Sequence, residues 1–554
     1  MPSLWQGLFA DDYFHRAILL RLDGWKDAQP VRDLFAFFPL DASQSPLDRG
    51  LAWWSDPEGV HAHFARPLTA LTHVLDYALW PDGTALQHLH GLLWFGLGVA
   101  LVAGLYRSVH FSARVAGLAA LFYAVEDAHY LAASWLSNRN AALAVVCGAA
   151  MLHQHLAWRR SAATRHLVFA LVLFVLGLGC AEAMLGAAAY VVAWQLCCED
   201  GPLARRLIPV APYAVVVVVW RLAYTALGYG THGISLYIDP GNQPVAFLRA
   251  LAERIPLFLG AQLLQLPIDL WLALSRPAQI GFSVLSALLV AGFAFRLRGL
   301  LARDRVSRFW ALGMTLSLVP ICATIPQDRL LVFAGIGAFG LLAAFLEDCR
   351  VWPFPAGERT GGRSLALLLL VLHGPASALL LPLRIAAVPW AGAFMTAGAT
   401  HLPRGPEVPR QTFVFVTGSD FLAAYAQIIR TCWADAPNPG RMAVLAPLTS
   451  TNAVRRIDAH TLSITPRAGF LNTPFDRAFV RPGRIFRIGE RIERPDYVAE
   501  IRSLTDDGRP LEVAFRFRVP LEDPSLSLLS YRALRPVAFS PPPTGESVTV
   551  RPGF

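Results

Sequence analysis

Two adjacent carboxylates, Asp11 and Asp12, stand in LFADDYFHRAIL near the start of a strongly apolar chain. Polar groups of the same kind recur along it. Glu126, Asp127 and His129 fall in YAVEDAHYLAASWLSNRN together with Arg139, Glu182 in LGCAEAMLG, and Asp328 with Arg329 in ATIPQDRLL. Carboxylates and histidine are proton-transfer groups, and arginine presents a forked set of donors to an anion. Taken one at a time, each group also has a structural reading. The acidic pair suits a solvated helix terminus, EDAH a helix cap, Glu182 a turn and Arg329 an interfacial anchor. Ionisable groups at a bilayer edge are costly unless they pair or act, so four of them on one side point to a site.

The elements that must carry these groups are apolar. The 554 residues are 55% hydrophobic and only 16% charged, with a mean hydropathy of +0.44, where a soluble domain carries about a quarter charged residues. Spans are expected near 86–106, 114–125, 140–157, 166–181, 183–198, 207–227, 279–295, 309–325, 330–346 and 364–382. The basic charge is almost all arginine, Lys26 being the single lysine. It falls between the spans, which fits membrane topology and gives no nucleic-acid footprint. The arginine-rich loops, among them Arg107, Arg159, Arg160, Arg205, Arg206, Arg296 to Arg308, Arg350, Arg359 and Arg363, are expected to be cytoplasmic. The four polar groups then all face outward. The segment 255–275 is long enough to span, but Pro256, Gln262, Gln265, Pro267 and Asp269 interrupt it, so it is expected to lie along the outer face. The seven cysteines show no CxxC spacing and are expected to be structural.

The expected fold is therefore an α-helical polytopic membrane protein of about ten transmembrane helices with a C-terminal, strand-rich α+β extracytoplasmic domain. Three regions divide it: an outer first loop over 1–85, a transmembrane part over 86–385 and an outer domain over 400–554. In the last, TFVFVTG (412–418) and RMAVLAPL (441–448) are expected strands with a helix, DFLAAYAQIIRTCW, between them, and a hairpin is expected around TDDG. MPSLWQGLF looks like the outer end of a hydrophobic helix whose first part is missing, and the expectation is that the true start lies upstream or that this start gives an incomplete first helix.

The order of these features resembles the GT-C superfamily of integral membrane glycosyltransferases, which includes protein O-mannosyltransferases and lipid A aminoarabinose transferases. The acidic pair of the first outer loop is matched by Asp11 and Asp12 in FADDYF, and the RPLT-type segment leading into an amphipathic helix by FARPLTALTHVLDYALW. The motif of the next outer loop is matched by His129, Trp135 and Arg139 in EDAHYLAASWLSNR, with Leu131 where a glutamate is usual. Of a lysine-glutamate pair only Glu182 is kept, after Ala181, and a late-span arginine is matched by Arg329.

The resemblance implies a polyprenyl-phosphate-linked sugar as donor and a glycan, lipid or protein as acceptor; arginine in place of lysine, with abundant Ala, Leu, Gly and Pro, suggests a GC-rich bacterial genome and hence a bacterial inner membrane. Such transfer builds oxocarbenium character while the phosphate gathers negative charge, so it needs a base for the acceptor and a cation for the leaving group. Asp11 or Asp12 suits the base, the coupling between them leaving the assignment open. Arg329 suits the phosphate, with Arg139 a second candidate. Glu126 and His129 complete the catalytic set, with Asp127, Glu182 and Asp328 as further candidates. A divalent cation, Mg or Mn, is a further possibility, with Asp12 and Glu126 as oxygen ligands. Two other readings share the apolar chain: a multi-pass transporter, and a catalytically inactive scaffold whose outer domain binds a partner.

Overall fold

The computed structural model describes residues 2–38, 52–55, 60–110, 112–351, 362–432, 437–481, 483–533 and 535–552. Each apolar segment expected to span lies on a helix. Five of these helices are long and apolar enough to cross a membrane: Thr84–Val109, Leu136–Ser161, Leu203–Ala226, Arg276–Arg303 and Arg363–Thr400. Shorter apolar helices pack among them, including Ala113–Val125, Thr164–Leu178 and Val332–Asp348. Val332–Asp348 has no polar face and is buried on nearly every side. Gly337 and Gly340 let it lie directly against Trp310, which leaves no room for a Cβ at either position. The chain is an α-helical integral membrane protein.

Ion pairs tie the loops at one end of the bundle: Arg159 with Glu199 at 3.0 Å and Arg305 with Asp200 at 2.7 Å. These are the loops in which arginine is concentrated; Arg359 lies outside the described residues. The four polar groups gather at the opposite end. Segment 255–275 is not one helix. The helix Pro244–Leu264 stops where Gln265 takes a left-handed conformation, φ 53°, and a short 3₁₀ turn, Ile268–Ala273, follows.

The last helix extends well past the expected end at residue 382. From Arg363 to Thr400 it is 38 residues long, roughly 57 Å at 1.5 Å per residue against a hydrocarbon core of about 30 Å. A π-turn at Leu372–Ala376, at Pro375, interrupts it. Its second half, Ser377–Thr400, lies beside the polar end of the bundle.

The strands form three sheets among the described residues. β1 (Ala36–Phe38), β2 (His61–His63) and β3 (Gly230–His232) make an antiparallel sheet that joins the first loop to the loop before Pro244. β4 (Thr412–Thr417) and β5 (Arg441–Val444) flank the helix Asp420–Cys432, as expected, and pair in parallel; Trp433 lies outside the described residues. The six strands β6 (Asn452–Arg456), β7 (Thr461–Pro466), β8 (Arg491–Glu493), β9 (Tyr497–Leu504), β10 (Pro510–Phe517) and β11 (Leu526–Arg532) follow. β12 (Arg535–Ala538) and β13 (Ser547–Val550) complete the set. β12-β11-β4-β5 is one sheet and β13-β6-β7-β10-β9-β8 the other. The β9–β10 hairpin turns at TDDG, where Gly508 supplies φ 79°, and Val513, Phe515 and Phe517 point into the core.

The first loop and the strand-rich region share one hydrophobic core. Trp53 is fully buried against Phe470, Phe486 and Phe515, and its indole N–H donates to the Leu445 carbonyl at 3.0 Å. The Ala52 amide donates to Asp420 at 2.7 Å.

Candidate active site

A cavity of about 660 Å³ opens where the polar end of the bundle meets the first loop and the strand-rich region. Asp11, Arg329, Asp269, Arg384, Tyr237 and Tyr425 are on its wall. The rest of the lining is largely apolar, with Ala387, Val388, Ala391, Phe394 and Met395 forming a strip along the last helix. That spacing of three and four residues keeps one helix face on the cavity.

The acidic pair divides. The chain turns at Ala10, φ 48°, and the helix Asp12–Leu19 begins with Asp11 at its N-cap. Successive helical side chains are about 100° apart, so the two acids cannot share a face. Asp12 turns inward and is buried. Its Oδ1 accepts from the Ser137 amide at 2.8 Å and the Ser137 hydroxyl at 2.6 Å, and its Oδ2 from the Phe9 amide at 2.9 Å. Burial pushes its pKa up to about 7 despite those donors. Asp11 faces the cavity, where its Oδ1 accepts from the Tyr425 hydroxyl at 2.5 Å. Burial raises its pKa too, opposed by the Tyr425 hydrogen bond and by the positive charges of Arg329 and Arg66.

Arg329 belongs to a 3₁₀ turn, Asp328–Leu330, just before a buried helix. Its Nε donates to Gln327 at 2.8 Å and one terminal nitrogen to Asn138 at 3.5 Å. The guanidinium lies 5.3 Å from the Trp135 ring centroid, a cation–π arrangement. Both hydrogen-bond partners are neutral amides, so they orient the charge without cancelling it.

Beside it, Arg384 is the hub of a charged cluster. It reaches Asp127 and Asp328 at 2.7 Å and Asp269 at 3.0 Å, and lies 4.0 Å from the Tyr130 ring centroid. Tyr130 in turn donates to Asp269 at 3.1 Å. Three loops at the polar end of the bundle and the last helix are thereby fastened to one guanidinium, whose charge is more than neutralised.

The other candidate residues lie off the cavity wall. Glu126 is buried and pairs with His373 at 3.3 Å. His129 is fully buried between Tyr123, at 4.7 Å between ring centroids, and Phe95, at 5.8 Å; burial lowers its pKa to about 4. Arg139 is buried against Asp76 at 2.6 Å and donates to the Gln87 carbonyl at 2.9 Å. Glu182 pairs with Arg66 at 2.9 Å and accepts from Tyr224 at 3.3 Å. The structure thus brings Asp11 and Arg329 to one cavity and gathers Asp127 and Asp328 beside it; Asp12, Glu126 and Arg139 are held in buried polar contacts, Glu182 in a part-buried ion pair and His129 in aromatic packing around it.

Among the described residues no group of three His, Cys, Asp or Glu is placed to hold a metal ion. Asp12 and Glu126 do not fit one, since both Asp12 oxygens are engaged by Ser137 and Phe9 and Glu126 Oε2 pairs with His373.

Two residues of the wall carry signals of different strength. Arg384 stands alone in the apolar run LLLPLRIAAVPW, and a charge there is itself a site indicator. Tyr425 has no local signal; it comes from the Asp420–Cys432 helix, more than 400 residues from Asp11.

No protein-family model matches the chain, and no curated protein matches it. Among solved structures it is similar to the Archaeoglobus fulgidus oligosaccharyltransferase in the apo form, with 12% identity and a TM-score of 0.39 over 79% of this chain and 60% of that one. It is also similar to ArnT from Cupriavidus metallidurans in the apo state, with 15% identity and a TM-score of 0.40 over 76% of this chain and 81% of that one. ArnT bound to undecaprenyl phosphate matches at 16% identity and a TM-score of 0.33, over 74% and 84% of the two chains. The chain spans about three fifths of the length of the archaeal enzyme. Likenesses this distant carry no argument about function. The fold and the cavity define an integral membrane protein with an acid and an arginine facing one chamber at the end of its bundle.

Proposed function

We propose that this protein is a membrane glycosyltransferase of GT-C type, moving a sugar from a polyprenyl-phosphate donor to a hydroxyl-bearing lipid, glycan or protein acceptor. The observation that carries this reading is the pairing, on one cavity wall, of Asp11 with an arginine whose partners are neutral. Asp11 takes the proton of the acceptor hydroxyl; that oxygen attacks the anomeric carbon as the bond from carbon to phosphate oxygen breaks. The lipid phosphate leaves with the electron pair, and Arg329 meets its growing charge with fixed donors. The apolar strip of the last helix suits the polyprenyl chain. In this reading the cavity and the strand-rich region are on the outer, periplasmic side of a bacterial inner membrane.

The raised pKa of Asp11 matters for a base, because basicity grows with pKa while the group must still be ionised at the working pH. Transfer should therefore climb with pH as Asp11 loses its proton, with an acid limb above the usual carboxylate range near 3.8.

The test is transfer of labelled sugar from undecaprenyl phosphate by the full-length protein, alongside direct binding of undecaprenyl phosphate. Asp11→Asn should slow transfer by about 10²-fold or more with lipid binding retained. Arg329→Ala should weaken lipid binding by about 10- to 100-fold, the worth of one hydrogen bond to a charged group. Equal transfer by the wild type and Asp11→Asn would reject Asp11 as the base.

A further inference from the structure

The strand-rich region contributes a residue to the cavity, and its position suggests what that region does for the reaction. Tyr425 is on the helix Asp420–Cys432, whose Leu422, Ala423, Ala426, Ile428 and Ile429 are buried in the shared core. Phe421 and Tyr425, four residues apart, both reach the cavity. The Tyr425 ring packs edge-on against Phe14 at 5.9 Å, within the turn of helix that follows Asp11, so both partners of the Tyr425–Asp11 hydrogen bond are held by packing. The bond occupies Asp11 Oδ1 and leaves Oδ2 for another partner.

We propose that Tyr425 is a positioning residue: its hydroxyl fixes the rotation of the Asp11 carboxylate, turns Oδ2 toward the acceptor hydroxyl, and makes the strand-rich region part of the catalytic apparatus. The inference rests on Asp11 acting as base. Asp11 transfers no proton to Tyr425; the phenol keeps its proton and donates a hydrogen bond, while the proton leaving the acceptor goes to Oδ2.

The groups acting on Asp11 come from several elements. Arg329 is on the turn before the buried helix and Arg66 precedes the first-loop helix Pro67–Leu79. Tyr237 follows β3, and Asp12 is the next residue in the chain. All of these remain in Tyr425→Phe, which removes one hydroxyl and keeps the ring against Phe14. A hydrogen bond donated to a carboxylate favours its charged form, so its loss moves the Asp11 titration to higher pH.

The experiment uses full-length wild type, Asp11→Asn and Tyr425→Phe, each checked for an unchanged melting temperature. Infrared difference spectra across a pH titration identify the carboxyl band missing from Asp11→Asn and follow its midpoint in the other two. That readout does not depend on transfer being detected. The midpoint should rise in Tyr425→Phe. In the assay with labelled undecaprenyl-phosphate sugar, kcat should fall about tenfold with the donor KM unchanged, and the acid limb of the pH profile should move up with the infrared midpoint. An Asp11 midpoint identical in wild type and Tyr425→Phe overturns the proposal whether or not transfer occurs. A raised KM with kcat preserved also overturns it, since Tyr425 would then be a donor contact. Absence of transfer in the wild type, with the infrared shift present, would count against the glycosyltransferase reading and leave the Tyr425–Asp11 coupling standing.

Discussion

The acidic pair shows how far one step along a chain can separate two identical side chains. Asp11 keeps an oxygen for chemistry, whereas Asp12 spends both of its own on Ser137 and Phe9 and so links the first loop to the second. A similar buried acid, Asp420, accepts from the Ala52 amide and the Trp54 indole and ties the tail to the first loop. Burial pushes the pKa of both Asp12 and Asp420 up to about 7 from an ordinary 3.8. Between those values the folded protein holds protons that the unfolded chain has released. Their contribution to stability is therefore greatest below about pH 4 and is lost as pH rises through about 7. Melting temperatures measured from pH 4 to 8 should fall across this window, and Asp420→Asn should flatten the decline; an unchanged slope in that variant would contradict the assignment.

At the scale of elements, the last helix does most to build the site. Its length carries it from the bundle past the cavity, and the π-turn at Pro375 leaves the Leu372 carbonyl to accept from Ser377 and Gln265. The residue after Ala376, Ser377, reaches Asp127, and about two turns further on the same helix brings Arg384 to its three carboxylates. Removing that guanidinium leaves Asp127, Asp269 and Asp328 facing one another without their cation. Arg384→Ala should cost roughly 1–3 kcal/mol, between the worth of an exposed ion pair and that of a fully buried one, because the side chain is 25% exposed. Thermal unfolding in detergent measures it directly. Arg384→Lys should recover only part of the loss, because a single ammonium cannot reproduce the planar fork that reaches three acids.

Across the whole molecule, the first loop and the strand-rich region act as one body because they share a core. Trp53 is its keystone, with its ring against three phenylalanines and its N–H on Leu445. Trp53→Ala should destabilise this body by about 3–5 kcal/mol. Limited proteolysis should then cut within 400–554 well before the membrane helices are affected. If the cavity is the catalytic site, the same variant should lose transfer, since Asp11 and Tyr425 are held in register by that core.

The apolar helices, the alternation of arginine-rich with polar loops, the β4–helix–β5 unit and the β9–β10 hairpin were all legible in the sequence. Hydrophobic period, loop charge and turn residues are local properties, and each reads out within a window of a few residues. The same local signals marked Asp11 and Arg329 as candidates, because a charge at the end of an apolar segment is conspicuous wherever it occurs. Which member of the acidic pair faces the cavity, that Arg139 is consumed by Asp76 and Glu126 by His373, and that Arg384 and Tyr425 complete the wall were decided by tertiary structure alone. A side chain's partners depend on how elements distant in sequence pack. The bond between Asp11 and Tyr425 joins residues 414 apart, and it exists only once the first loop and the strand-rich region have built a common core.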